Sequence, residues 1–154
     1  MTLDEFVTKY KGQKIEFDGK YEFQCVDLTK LYNKEVIAAP TLMGNAIDYL
    51  NNPLPAFYEF KTNPLWYIPP RGAIAIWNNK VGGGFGHVAI ILSASLLQFR
   101  SLDQNWPTGA PVTEVDHVYK DVAGFLVPRA QDILSKYNAL VDDLRALSVR
   151  YPKL

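Results

Sequence analysis

Hydrophobic residues recur at helical spacing in the N-terminal part of the chain. A Thr-x-x-Glu capping box opens the first such segment, and glycine or proline interrupts the pattern at several points. Cys25 falls in the first turn of the second segment. We expect short helices from Thr2 to Gly12, from Cys25 to about Lys34, and over residues 40–52 with Thr41 as the cap.

The pattern changes after a proline-rich stretch that ends near Pro70. The remaining apolar segments are short, rich in β-branched and aromatic residues, and separated by Gly, Pro, Asn or Asp. Six segments of this kind predict an antiparallel sheet: FYEF, GAIAIWN, HVAIILS, LLQFRSLD, VTEVDHVY and AGFLVP. Helices followed by strands are typical of an α+β domain.

The glycine-rich segment NNKVGGGFGH, residues 78–87, is predicted to be a hairpin loop. It lacks the Lys-Ser/Thr ending of a phosphate loop, and His87 stands where a dinucleotide-binding motif would need its last glycine. Residues 129–154 carry apolar residues at helical spacing. They predict an amphipathic helix of roughly five turns that either packs on the domain or begins a linker.

The composition of the chain argues against several classes of function. Lys plus Arg and Asp plus Glu number 16 each, which removes the electrostatic argument for a nucleic-acid partner. A single cysteine cannot form an internal disulfide. The N-terminus has no signal-peptide pattern, and no apolar run is long enough to cross a membrane. We expect a protein that reaches any site outside the cell without a cleaved signal peptide.

Cys25 is the candidate nucleophile. A helix N-terminus presents unpaired N–H groups and the positive end of the helix dipole, which favour a thiolate over a thiol. The alternative is a small buried hydrophobe. A thiolate nucleophile needs a histidine, and His87, which opens a strand after the glycine-rich loop, is preferred over His117, whose alternating strand favours a packing or surface role.

The third polar group is expected on the strand that follows His87. SLDQNW ends that strand, and strict alternation would point Asp103 and Asn105 to one side, so either could orient the imidazole. A polar turn at the strand end, before Pro107, explains the polar residues of this segment equally well.

Four carboxylates surround Cys25 and would disfavour a thiolate unless a cation neutralises them. Counted from Glu16, acidic residues and one backbone carbonyl fall at positions 1, 3, 5, 7 and 12, the ligand spacing of an EF-hand loop: Glu16, Asp18, the Lys20 carbonyl, Glu22 and Asp27. Glutamate at position 1, tyrosine at position 6 and the shorter aspartate at position 12 depart from that motif. Spacing alone leaves a calcium site and a solvated acidic loop as alternatives.

FQCVDL, GHVAIIL and SLDQNW, in this order, resemble the signature blocks of the cysteine, histidine-dependent amidohydrolase/peptidase (CHAP) domain of phage endolysins and bacterial cell-wall hydrolases. The resemblance covers roughly residues 3–128, with residues 129–154 as a separate helix or linker, and implies a papain-like fold. It implies Cys25 as nucleophile, His87 as general base, and Asp103 and Asn105 as the acidic residue and asparagine of the third block.

The resemblance also implies calcium, held by the five positions counted from Glu16. It implies a peptidoglycan hydrolase that cuts an amide bond in the stem or cross-bridge peptide, with Phe85 and Trp106 as groove walls. It suggests a phage lysin made in the host cytoplasm, acting at the wall and joined to a wall-binding domain beyond the C-terminus. Amidase and endopeptidase activity stay open.

Two alternatives remain. One is a papain-like hydrolase or acyltransferase with a substrate other than cell wall, and the other is a catalytically silent, calcium-stabilised module that binds wall peptides.

Overall fold

A computed structural model describes residues 1–129 together with Val141, Leu144 and Arg145. Helix α1, Leu3–Tyr10, begins at the predicted Thr2 capping box, where the Glu5 N–H donates to Thr2 Oγ1. Helix α2, Cys25–Tyr32, places the cysteine at its first position and continues as a π-helical turn, Asn33–Ile37. The predicted helix over residues 129–154 lies almost entirely outside the described residues and stays a prediction.

The prediction for residues 40–52 is wrong in extent. Only Ala46–Leu50 is helical, as a 3-10 turn, and its cap is Asn45 rather than Thr41. Gly44 explains the difference because its φ of 91° is left-handed and stops any helix that began at Thr41. A side chain there would collide with Asp48, whose carboxylate accepts the Asn45 N–H.

The predicted antiparallel sheet of six strands is confirmed. Its spatial order is β1-β6-β2-β3-β4-β5, so the last strand within residues 1–129 lies between the first two. The strands are β1 Tyr58–Thr62, β2 Ile74–Trp77, β3 His87–Ala94, β4 Gln98–Asp103, β5 Thr113–Val118 and β6 Val122–Pro128.

Both faces of the sheet are covered by apolar side chains. On one face, α1 and α2 bury Phe6, Leu28 and Tyr32 against residues such as Ile76 and Ile90. The other face carries a smaller cluster of alanines and aromatics that includes Trp77 and Phe99. Because side chains alternate along β3 and β4, His87 and Asp103 belong to this second face.

The loop between β2 and β3 sets the position of His87. As predicted, residues 78–86 join the two strands of a hairpin, with a short 3-10 turn at Gly82–Gly84. Gly86, at a φ of 75°, passes so close to the Trp77 carbonyl that an added Cβ would lie 2.7 Å from it. Glycine therefore lets the chain turn tightly just before His87. Among the described residues, no helix has the length and apolarity to cross a membrane.

Candidate active site

Cys25 is half-buried at the first position of α2. Gln24 caps the helix, and the Asp27 carboxylate accepts the Gln24 N–H at 2.7 Å. Cys25 therefore stands where its own backbone N–H has no partner within the helix and can receive an oxyanion.

His87 begins β3 and is 3% exposed. Its Nε2 lies 2.8 Å from Asp103 Oδ2, and the Cys25 thiol is close enough to interact electrostatically with the ring. Since Nε2 faces the carboxylate, Nδ1 is the nitrogen left for the sulfur. Burial opposes protonation of the ring, but the hydrogen bonds and charges of Asp103 and Cys25 outweigh it and raise the pKa of His87 to about 9.

Asp103 is fully buried at the end of β4. Its Oδ1 accepts the Ser101 hydroxyl at 2.5 Å, and its Oδ2 contacts Nε2 of both histidines in the chain. Burial would raise the pKa of Asp103, yet hydrogen bonds from His117 and His87 outweigh it and hold the pKa below the usual range. The residue is therefore an ionised acceptor for both rings.

Asn105, the other residue predicted to reach the imidazole, points elsewhere. Its Nδ2 donates to Gln24 Oε1 at 3.1 Å, and its Oδ1 accepts the Gly109 N–H at 2.6 Å. The alternation that would align it with Asp103 ends with β4, and Asn105 itself has a left-handed φ of 59°. Asn105 thus contacts Gln24, the residue before Cys25, instead of His87.

Gln104, which the sequence analysis did not select, ties three parts of the site together. Its fully buried amide accepts the Ile15 N–H at 2.7 Å and donates to the carbonyls of Ile15 and Gln24 at 2.8 and 2.7 Å. The sequence signal was a glutamine at a strand end, directly between two polar residues. The side chain fixes the chain before Cys25 relative to the end of β4.

Replacing Gln104 with leucine should lower the free energy of unfolding by about 2 to 4 kcal/mol, because the buried N–H and carbonyl of Ile15 lose their partner. Urea denaturation of Gln104→Leu measures the change. The same substitution at exposed Gln98, on β4, which ends just before Gln104, is the matched control and should stay within about 0.5 kcal/mol. A loss at Gln104 no larger than at Gln98 would contradict the role of this amide.

Two tryptophans contact the His87 ring. Trp106 lies 4.7 Å and Trp77 5.1 Å from it between ring centroids, and the two indoles are stacked at 6.2 Å. Trp106 is partly exposed, while Phe85, just before the β3 strand, is 61% exposed. Both are placed where a substrate could touch them, and their roles as groove walls stay predictions.

The acidic loop brings together three of the five predicted metal-binding positions. Glu16, Asp18 and Asp27 each offer a carboxylate oxygen within 4.8 Å of the others. Glu22 is exposed, has a left-handed φ of 58° and does not belong to this group. The Lys20 N–H donates to Asp18 Oδ1. Three converging carboxylates suit a hard cation such as calcium.

Lys30 supplies a cation that the sequence analysis did not consider. Its Nζ lies 2.5 Å from Asp18 Oδ2 and 3.9 Å from Asp27 Oδ1, with a side chain only 9% exposed. Burial raises the pKa of Asp27, and the charges of Asp18 and Glu16 add to this while Lys30 opposes it. A metal ion in this cluster would compete with Lys30 for Asp18.

The CHAP domain model matches residues 15–105, which contain Cys25, His87 and Asp103. Over 123 residues the chain is 30% identical to endolysin PlyTW of Staphylococcus phage Twort, covering 73% of this chain and 26% of that protein. Over 125 residues it is 29% identical to the probable autolysin PH of Staphylococcus aureus, covering 70% of this chain and 25% of that protein. The chain thus spans about a quarter of the length of these curated relatives.

Solved structures agree with the fold. The endolysin LysIME-EF1 superposes with a TM-score of 0.70 and 28% identity over 83% of this chain and 64% of that chain. Ly7917, at 16% identity, shares the fold with a TM-score of 0.59 over 83% of this chain and 62% of that chain. By its family match, its order of motifs and its fold, the chain belongs to the CHAP domain family.

Proposed function

We propose that the chain is the catalytic domain of a peptidoglycan hydrolase, which cleaves an amide bond of the stem or cross-bridge peptide with Cys25 as the nucleophile. The observation that carries this proposal is the buried His87 ring, whose Nε2 contacts Asp103 and which interacts electrostatically with Cys25. A histidine held in this way can activate a nucleophile. In a domain without catalysis it would only be a buried polar group that costs stability. The relatives named endolysin and autolysin support the wall as substrate.

The reaction follows from this arrangement. The Cys25 thiolate attacks the amide carbonyl and forms a C–S bond, and the oxyanion accepts the Cys25 N–H at the helix N-terminus. Protonated His87 gives its Nδ1 proton to the leaving amine, the C–N bond breaks, and a thioester remains. His87 then takes a proton from water, whose oxygen attacks the thioester and releases the acid and the thiolate. Asp103 holds the ring throughout.

Mass spectrometry of fragments from digested, purified cell walls tests the function. New amino termini within the peptide would indicate an endopeptidase, and separation of the whole stem peptide from the glycan would indicate an amidase. Protein that pellets with walls but releases no new amino termini would instead support a silent binding module. If the protein hydrolyses other amides but leaves purified cell walls undigested, its substrate lies outside the wall.

We also propose that Glu16, Asp18 and Asp27 bind calcium, with the Lys20 carbonyl and Glu22 as further ligands. The ion would neutralise the acidic loop and fix the segment that leads into α2. Support comes from the three converging carboxylates and from the position of Asp27, which both caps α2 and belongs to the cluster.

Calcium should raise the unfolding temperature of the protein, and Asp18→Asn should remove most of that increase. Lys30→Met should have the opposite effect, because it removes a competing positive charge. We expect about tenfold tighter calcium binding in Lys30→Met, the order of one charge interaction near the surface. Thermal unfolding during titration with calcium, and with magnesium for comparison, measures both changes.

Asp116→Asn removes an exposed carboxylate on β5 and is the control for lost negative charge. A calcium response that is the same in Asp18→Asn, Lys30→Met and Asp116→Asn would place the ion elsewhere.

A further inference from the structure

His117 is a buried histidine with no part in the reaction as written above. It lies on β5 opposite Phe99, and its side chain is only 7% exposed. Its Nε2 lies 3.0 Å from Asp103 Oδ2, the same oxygen that contacts His87 Nε2 at 2.8 Å. One carboxylate oxygen therefore joins the two histidines of the chain.

The contacts of Asp103 define which nitrogen of each ring carries a proton. An ionised carboxylate only accepts hydrogen bonds, and its two oxygens have room for the three partners found here. Ser101 uses Oδ1, so both rings must donate Nε2–H to Oδ2. For His87 this leaves Nδ1 toward Cys25. His117 needs no positive charge to make its bond.

Aromatic side chains hold His117 in place. Its ring centroid lies 4.8 Å from Trp77, 5.4 Å from Phe99 and 5.7 Å from Trp106. Trp77 and Trp106 also contact the His87 ring. The two imidazoles and the carboxylate between them are thus packed as one unit, in which the orientation of Asp103 depends on both rings.

We propose that His117 is a positioning residue: its Nε2–H fixes the Asp103 carboxylate, which in turn holds the His87 ring with Nδ1 toward Cys25. The proposal rests on the function proposed above, because it assigns His117 to the same reaction. A histidine that only packs β5 against its neighbours would affect stability through its ring, whatever hydrogen bond it made.

Two variants separate the hydrogen bond from the packing. His117→Phe keeps an aromatic ring but has no donor, whereas His117→Gln keeps an N–H donor near the position of Nε2. We expect His117→Phe to lower kcat on solubilised peptidoglycan by about 10- to 100-fold with KM within about twofold, the loss expected for one hydrogen bond to a charged group. His117→Gln should stay within about threefold of the wild type.

Nitrogen-15 NMR of the histidine rings gives a readout that does not need turnover. The chain has two histidines, so the spectrum of each His117 variant contains the ring signals of His87 only. At a pH above the His87 pKa of about 9, where the ring is neutral, the wild type and His117→Gln should show His87 as the Nε2–H tautomer with a slowly exchanging ring proton. In His117→Phe we expect faster exchange and a mixture of the two tautomers.

The outcomes are distinct. Wild-type kcat and unchanged His87 signals in His117→Phe would overturn the proposal. So would equal losses of kcat and thermal stability in His117→Phe and His117→Gln, which would indicate packing alone. If His117→Phe does not fold, His117→Asn, whose shorter amide does not reach Asp103, takes its place with the same expectations. If the wild type digests no peptidoglycan, the proposed function fails while the NMR signals still decide whether His117 positions His87.

Discussion

Replacing Cys25 with alanine should lower the release of amino termini from purified cell walls by at least about 10³-fold, because a cysteine hydrolase without its nucleophile retains only binding and oxyanion stabilisation. The thermal unfolding temperature should change little, since the thiol is half-buried and its removal leaves the α2 cap intact. Initial rates of amino-group release, measured at equal concentrations of folded protein, check the result.

Alkylation provides a matched control for this substitution. Cys25 is the single cysteine, so iodoacetamide at one equivalent modifies a defined atom of the wild-type protein. The alkylated wild type should be as inactive as Cys25→Ala, and Cys25→Ala should not respond to the reagent. Wall digestion by the alanine variant at a rate near that of the wild type would exclude cysteine catalysis.

The sheet could be predicted from sequence because its signals are local. Alternation of apolar and polar residues, with Gly and Pro between segments, predicted six strands, and the described residues form a sheet of six. The helix predicted over residues 40–52 was wrong for the opposite reason. Its apolar spacing was helical, but the left-handed backbone at Gly44 interrupts it. Glycine adopts positive or negative φ with similar ease, so its φ depends on its surroundings and cannot be predicted from the pattern of apolar residues.

The contacts that position the proposed catalytic residues could be predicted only in part. The order of motifs selected Cys25 and His87, left Asp103 and Asn105 as alternatives for the third group, and gave His117 only a packing or surface role. That His117 reaches Asp103 depends on the register and twist of β4 and β5, which no single segment specifies. Gln104 likewise binds Ile15 across most of the chain, and such long-range partners carry no local signal.

The positive charge beside the acidic loop could have been predicted from the sequence and was missed. Carboxylates disfavour a nearby thiolate unless a cation neutralises them, and the acidic spacing predicted calcium, which stays a prediction. The fold already places one positive charge there, since Lys30 follows Asp27 by one helical turn and its ammonium contacts Asp18. The α2 spacing of Asp27 and Lys30 was available in the sequence and would have identified this pair.

Replacing Asp103 with asparagine should lower kcat on peptidoglycan by about 10² to 10⁴-fold, the range seen when the acid of a catalytic triad is neutralised. The amide cannot accept Nε2–H bonds from both rings at full strength, and its NH2 group faces a donor if it turns. Burial lowers the pKa of His87 while the Asp103 and Cys25 interactions raise it to about 9, so loss of the carboxylate must lower this pKa.

The sign of the pH effect separates this role from a general loss of structure. Because folding raises the pKa of His87 from 6.5 to about 9, protonated His87 contributes its full stabilisation at pH values below 6.5. That stabilisation is lost as the pH rises through about 9. In Asp103→Asn the alkaline decrease of kcat, which reflects deprotonation of His87, should therefore move to lower pH. Rates between about pH 5 and pH 10 measure it, with Asp116→Asn as the exposed control. If the Asp103 carboxylate raises the pKa of His87, its removal must move the alkaline limb. An alkaline limb at the same pH in Asp103→Asn and the wild type would therefore mean that the carboxylate does not set the protonation of His87.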